Sequence, residues 1–215
     1  MALTLLSRSL SNFRAALLLA RQSHVMEART LVRCLYENQL WIGALRERGE
    51  AFVEEMIQDE AYNRSALATL TLKLTSKHGG DVNSADSLTL RDIVKDHAKR
   101  FPRQNKLQAS KTAAAGVVEL SYVEYMRFSL DAVHCSVTAL GRHLSHEKTA
   151  DSMELLVSVE ANTTVEEQHD TILHACNALL GTAVAANELL GFTSASEQLA
   201  RQFDEFRAAG WFNRI

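Results

Sequence analysis

Residues 120–144 read LSYVEYMRFSLDAVHCSVTALGRHL, and this stretch decides the fold. Val123, Met126, Leu130, Val133, Val137, Leu140 and Leu144 recur at spacings of three and four. That period predicts one helix from Leu120 to Leu144 whose apolar seam packs against other helices. Glu119, one turn before Val123, lies on the same line. It marks where the seam emerges into solvent, unless the acid itself is buried. One flank is apolar or small, with Tyr125, Phe128, Ala132, Cys135 and Ala139; the other carries Glu124, Arg127, Asp131, His134 and Thr138.

Working outward, the same period recurs. Leu3, Leu6, Leu10, Phe13, Leu17 and Ala20 predict a first helix. The acid-free opening with Arg8, Arg14 and Arg21 also has the composition of an organelle-targeting segment, so the two readings compete. A second helix is predicted from Val25 to Arg46, apolar around nearly its whole circumference and therefore central. A third runs from Glu50 to Lys77 and stops at Gly79-Gly80. Asp81 to Ser87 reads as loop, and Thr89 with Asp92 resembles a capping box opening a short helix to Arg100, before Pro102. Arg103 to Lys111 is polar, and the next ordered run has a candidate break at Gly116. Ser145 to Ala150 is a polar connection, and MELLVSV at 153–159 suits a short extended segment. Thr164 and Glu167 form a capping-box pair for a helix reaching Leu190, and a last helix spans Ser194 to Ala209.

Composition agrees. Nine glycines and one proline in 215 residues are too few to turn the many strands of a sandwich or barrel. The expectation is an all-α bundle of about six to eight helices, forming a single domain over residues 1–215. A net charge of −3 demands no polyanionic partner. No uninterrupted run of about 18 apolar residues is present, so no membrane span is expected. Three well-separated cysteines fit a reducing compartment, and the cytoplasm is the expected location. There is no Walker loop, Gly-rich dinucleotide turn or GxSxG elbow.

Asp131 follows Arg127 by four residues and precedes His134 by three, within reach of both on a helix. A phosphate-handling site needs those groups: Arg127 to clamp the phosphate, His134 to move a proton, and Asp131 to fix the imidazole tautomer. The same spacing also serves an ordinary solvated ion pair, which is the commoner use. Arg33 and Glu37 are four apart inside the central helix, where a buried pair fixes register or serves a site. The two polar stripes are expected to face one another. Glu166 with His169 and Asp131 with His134 lack the further inward glutamates of a di-iron bundle, so no metal and no cofactor is expected. Glu166, Asp170 and His174 read as a solvated stripe, and Arg142, His143 and His146 as cations at a helix end. Cys34, Cys135 and Cys176 read as small core residues.

MEARTLVRCLYE at 26–37, followed by YVEYMRFSLDAVH at 122–134, resembles a family of bacterial helical proteins of unknown function. That family carries an Arg-x3-Glu helix and a Tyr…Arg…Val-His helix. The resemblance spans roughly Leu10 to Leu144 and places Arg33, Glu37, Tyr122 or Tyr125, Arg127 and His134 at the motif positions. A serine usual four residues before the histidine is replaced by Leu130, with Ser129 one residue away. Arg127 and His134 also resemble the Arg-x(4–6)-His signature of the HEPN superfamily, although Phe128 stands where a polar residue is usual. That resemblance implies a metal-independent ribonuclease or RNA-interacting protein of a bacterial defence or toxin system. His134 would act on a ribose 2′-hydroxyl and Arg127 would stabilise the phosphorane. The alternative is a non-catalytic helical module that binds another protein or a second copy of itself. Finally, Leu199, Phe203 and Phe206 form an apolar face that continues into Trp211 and Phe212, which predicts a homodimer with the C-terminal tail at its interface.

Overall fold

The computed structural model describes residues 1–101, 106–114, 119–134, 136–148 and 153–209. Among the described residues the fold is all-α apart from one hairpin. Its helices are α1 (Ala2–Arg21), α2 (Val25–Arg48), α3 (Glu50–Lys77), α4 (Ala85–Arg100), α5 (Ala109–Ala114), α6 (Glu119–Phe128) and α7 (Val137–Gly141). Strands β1 (Leu144–Lys148) and β2 (Met153–Val157) follow, then α8 (Val165–Leu189) and α9 (Ser196–Ala208). β1 and β2 pair antiparallel, with Leu144 opposite Val157 and His146 opposite Leu155. No helix of the described residues is long and apolar enough to cross a membrane.

The chain divides into two compact units, residues 1–47 with 112–215 and residues 48–111. In the first, α2 is the axis. Val32, Leu35, Tyr36, Asn38, Leu40 and Ile42 are all buried, so α2 meets protein on several faces, as its apolar circumference predicts. Its partners in the core are Ala16 of α1, Phe128 of α6, and Ala175 and Ala178 of α8. The Tyr36 and Phe128 rings stack at 6.1 Å between centroids. Burying each ring stabilises the unit by about 1.5–3 kcal/mol. Thr164 caps α8 as predicted: its hydroxyl accepts the Glu167 N–H, and the Glu167 carboxylate accepts the Thr164 N–H. In the second unit α3 and α4 pack on each other. Here α4 starts four residues before Thr89: Ser84 is the cap, its hydroxyl accepting the Ser87 N–H, and the Thr89 hydroxyl donates to the Ala85 carbonyl.

The stretch 120–144 departs most from expectation. It is not one helix. After Phe128 the ladder widens into a π turn over Ser129–Val133, and His134 adopts extended backbone at φ −93°, ψ 144°. The cause is local. Ser129 Oγ donates to the Tyr125 carbonyl at 2.7 Å, a back-bond that bends helices, and Ser136 caps a new helix by accepting the Ala139 N–H. The seam also faces the other way. Leu120, Val123, Met126, Leu130, Val137, Leu140 and Leu144 are exposed, whereas Glu124, Phe128 and Ser129 are buried. The flank turned inward carries the partners of Arg29 and Arg33 on α2, which burial would otherwise leave unpaired. The side chains of Glu119 and Val133, together with Gly116, Cys135, Trp211 and Phe212, lie outside the described residues.

Candidate functional site

Two polar clusters join α2 to α6 within the first unit. In the upper one, Arg33 pairs with Glu37 at 3.1 Å and donates to the Tyr125 hydroxyl at 2.6 Å and to Ser129 Oγ at 3.4 Å. Tyr125 lies under the Arg33 guanidinium, 4.7 Å from ring centroid to Cζ, and stacks on Tyr122. The Arg33 pKa is raised: burial would lower it, but Glu37 and Tyr125 together outweigh that effect. Arg33 therefore meets Tyr125 and Ser129 rather than the Arg127–Asp131–His134 stripe it was expected to face, from which Asp131 pairs with Arg29 instead. Both tyrosines take part, Tyr125 by direct hydrogen bond.

The lower cluster is larger and draws on α8. Arg29 pairs with Asp131, and at 3.3 Å with Asp170, while its Nε donates to Thr171 Oγ1 at 3.0 Å. Arg142 bridges Asp131 at 2.8 Å and Glu167 at 2.7 Å. Arg127 lies 2.8 Å from Glu124 and 3.4 Å from Asp170, over the Phe128 ring. Three arginines thus meet four carboxylates, and His174 completes the set. Arg127 Nη2 approaches His174 Nε2 at 2.7 Å. A guanidinium has no lone pair, so Nε2 must accept and the proton sits on Nδ1, which donates to the Tyr36 hydroxyl at 2.7 Å. When the ring is protonated, Nε2 instead carries a proton toward Asp170 at 3.3 Å. Asn177 also donates to the Tyr36 hydroxyl.

Burial would raise the Asp170 pKa, but hydrogen bonding to His174 and the charges of His174, Arg127 and Arg29 hold it below the usual aspartate range. Glu167 is likewise held low against burial by Arg142, the Thr164 N–H and Arg29. Burial pushes the Tyr36 hydroxyl far up. Such a network locks helices in register more than it adds net stability.

The line Arg127–Asp131–His134 is not assembled as a unit. The π turn separates its members: Asp131 turns to Arg29 and Arg142, and Arg127 to Glu124, Asp170 and His174. His134 is exposed beyond the helix end, and among the described residues its imidazole makes no hydrogen bond or ion pair. The turn has a second effect. His134 N–H donates to the Ser129 carbonyl five residues back, so Ser129 holds the register that a serine four residues back holds in an α-helix.

Sequence reading missed Arg29, Tyr36 and the α8 contribution. Asp170 and His174 are part of the network rather than a solvated stripe, because their helix face turns toward Arg29 and Arg127. Arg142 spans two carboxylates rather than merely answering a helix dipole. A signal existed: Arg29, Arg33 and Glu37 are spaced by four inside a helix otherwise too apolar to leave three charges in water. Among the described residues, no group of three or more His, Cys, Asp or Glu side chains is arranged to hold a metal ion.

A family model of unknown function, DUF5677, matches residues 1–152. The chain belongs to this family. The DUF5677 match takes in Arg29, Arg33, Glu37, Arg127, Asp131, His134 and Arg142 and stops before α8, so the half of the lower cluster supplied by Glu167, Asp170 and His174 lies beyond it. No curated protein and no solved structure matches the chain.

Proposed function

We propose that this DUF5677 chain is a non-catalytic helical module that associates with a second copy of itself. The observation that carries the reading is the exposed stripe Leu120, Val123, Met126 and Leu130 along α6 and its π turn, extended by Val137, 90% exposed, and Leu140 on α7. Monomers rarely leave a stripe of large aliphatic side chains in water. A face of one helix meeting its own copy across a two-fold axis is self-complementary. The arginines of the clusters favour the same reading, since Arg29, Arg33, Arg127 and Arg142 each already meet a carboxylate and a phosphate would have to displace it. Sedimentation velocity at micromolar protein tests this. The wild type should sediment as a dimer, and Val123→Glu with Leu130→Glu, both at exposed positions, should give a monomer with unchanged helicity. A wild-type monomer, or a variant that associates equally, rejects the module.

A second reading is favoured by His134 alone. Its imidazole is exposed and makes no hydrogen bond or ion pair among the described residues, seven residues after a half-exposed Arg127 and next to a π turn, a feature frequent at functional sites. In that reading the chain is a metal-independent ribonuclease of a bacterial defence or toxin system. His134 exchanges the proton of a ribose 2′-hydroxyl, Arg127 holds the phosphorane, and Asp131 positions the turn between them. Cleavage of RNA by the purified chain, lost in His134→Ala, supports it. Equal and negligible cleavage by both proteins rejects it.

A further inference from the structure

We propose that the cavity between α3 and α4 binds a small amphipathic monocarboxylic acid. The cavity measures about 410 Å³ and lies wholly within the second unit. That volume is within the range of small-molecule sites, roughly 300–1,000 Å³. Its α3 wall carries Tyr62, Ser65, Leu70 and Lys73 on one face, and its α4 wall carries Val94 and His97.

His97 is the decisive residue. It is 5% exposed, and neither ring nitrogen has a hydrogen-bond partner among the described residues. Its ring is held between Tyr62, 6.4 Å away edge-on, and Phe101 at 5.8 Å. An imidazole always presents at least one N–H donor, and leaving a buried donor unpaired is unfavourable. Packing aromatic rings around an imidazole does not need that expense, since phenylalanine would fill the same space. The partner is expected from outside the chain.

The lining fixes the chemistry of that partner. Among the described residues no carboxylate lines the cavity and Lys73 is its one formal cation, so an anion is favoured and a metal ion is not. Leu70, Val94 and the Tyr62 ring supply apolar walls that a bare inorganic anion would leave uncovered. The Thr69 hydroxyl donates to the Ser65 carbonyl at 2.8 Å, and no described group of the lining lies within hydrogen-bonding reach of the His97 ring nitrogens. A ligand with one carboxylate and an apolar body meets both demands. Both ring nitrogens are closed to water without a ligand, so the ring turns toward the cavity as the carboxylate accepts from it and faces Lys73, and the body covers the walls.

The test uses the full chain with isotope-labelled histidine, followed by NMR, with His97 assigned by the signal lost in His97→Phe. Benzoate should shift the His97 resonances saturably. Benzyl alcohol, of the same body without the charge, should bind about tenfold more weakly, and inorganic phosphate should produce no saturable shift. Lys73→Met, at an exposed position, should bring benzoate affinity down to that of benzyl alcohol while the fold is kept. His97→Phe should abolish binding, read as loss of the benzoate-induced rise in melting temperature. The proposal is overturned by no saturable response to benzoate, by equal binding of benzyl alcohol, by phosphate acting as well as benzoate, or by unchanged benzoate affinity in Lys73→Met.

Discussion

The two units bury a histidine in opposite ways. His174 of the first unit has both ring nitrogens engaged, by Arg127 and by Tyr36, inside a network of compensating charges. His97 of the second unit is more deeply buried, yet neither nitrogen meets a partner among the described residues. The same side chain therefore does different work. In the first unit polar groups spend their bonding capacity on one another and fix how α2, α6 and α8 align. In the second unit that capacity is left unused beside a cavity. A satisfied network reads as architecture, and an unsatisfied one reads as a vacancy for something else.

Breaking the satisfied side should give the largest effect. Arg29 is shared by Asp131 and Asp170 and is almost fully buried, so Arg29→Met removes the most buried cation of the network and leaves Asp131 to Arg142 and Asp170 to Arg127. Removing one partner of a buried charge group costs about 3–5 kcal/mol. Arg46, whose side chain is 36% exposed and meets the 34% exposed Glu188 at 2.8 Å, offers the control. Arg46→Met should cost about 1 kcal/mol or less, because water replaces what Glu188 loses. Urea unfolding of the two variants distinguishes them, and comparable losses would mean that burial does not set the strength of this network.

A second break acts on packing rather than charge. Gly181 of α8 faces the Gln39 side chain of α2 so closely that an added Cβ would overlap its amide. Gly181→Ala gains helix propensity of about 1 kcal/mol. It should nonetheless lose stability by about 1–3 kcal/mol, because Gln39 is itself buried and cannot swing into solvent. A neutral or stabilising result in thermal unfolding would show that α2 and α8 have slack at this level.

Acid tests the network as a whole. Asp170 and Glu167 ionise below the usual carboxylate range in the folded chain. The unfolded chain therefore binds more protons as acid is added, so their contribution is complete above about pH 4.3 and lost as pH falls through the lower folded values. Melting temperature measured at pH 5 and pH 3 should fall, and Asp170→Asn should fall less over the same interval. An identical fall in both proteins would place the acid sensitivity elsewhere.

What the sequence made legible was set by near neighbours. The bounds of α3 follow from Gly79 at φ 72° and from the polar run after it, and the start of α8 follows from the reciprocal bonds of Thr164 and Glu167. The centrality of α2 follows from its apolar circumference. What stayed hidden was set at a distance. On α6 the faces Val123–Met126–Leu130 and Tyr125–Phe128 are both apolar, and periodicity alone cannot choose between them. The choice was made by Arg29 and Arg33, about a hundred residues away, whose partners had to be inside. The π turn was hidden for a subtler reason: it depends on which hydrogen bond the Ser129 hydroxyl prefers, and helical spacing holds no record of that. The strand β1 was lost because its residues, Ser145 to Lys148, are polar and gain their conformation only by pairing with β2.

The smallest expected effect concerns how each histidine-bearing helix begins. α8 starts with two reciprocal cap bonds at Thr164, whereas α4 starts with one side-chain bond at Ser84. The Ser84 hydroxyl also donates to Ser87 Oγ at 3.0 Å, and Ser87 Oγ donates to the Asp81 carbonyl, so the cap ties the helix to its preceding loop. Losing such a cap costs about 0.5–2 kcal/mol. Ser84→Ala should fall in that range. Thr89→Ala should change stability only by a few tenths, since the Thr89 hydroxyl merely back-bonds to the Ala85 carbonyl within the first turns and caps nothing. Amide hydrogen exchange sharpens the comparison: Ser84→Ala should speed exchange at the start of α4 and leave α8 protected. Faster exchange at α4 in Thr89→Ala but not in Ser84→Ala would move the helix start to the later position, and with it the register that turns His97 toward α3.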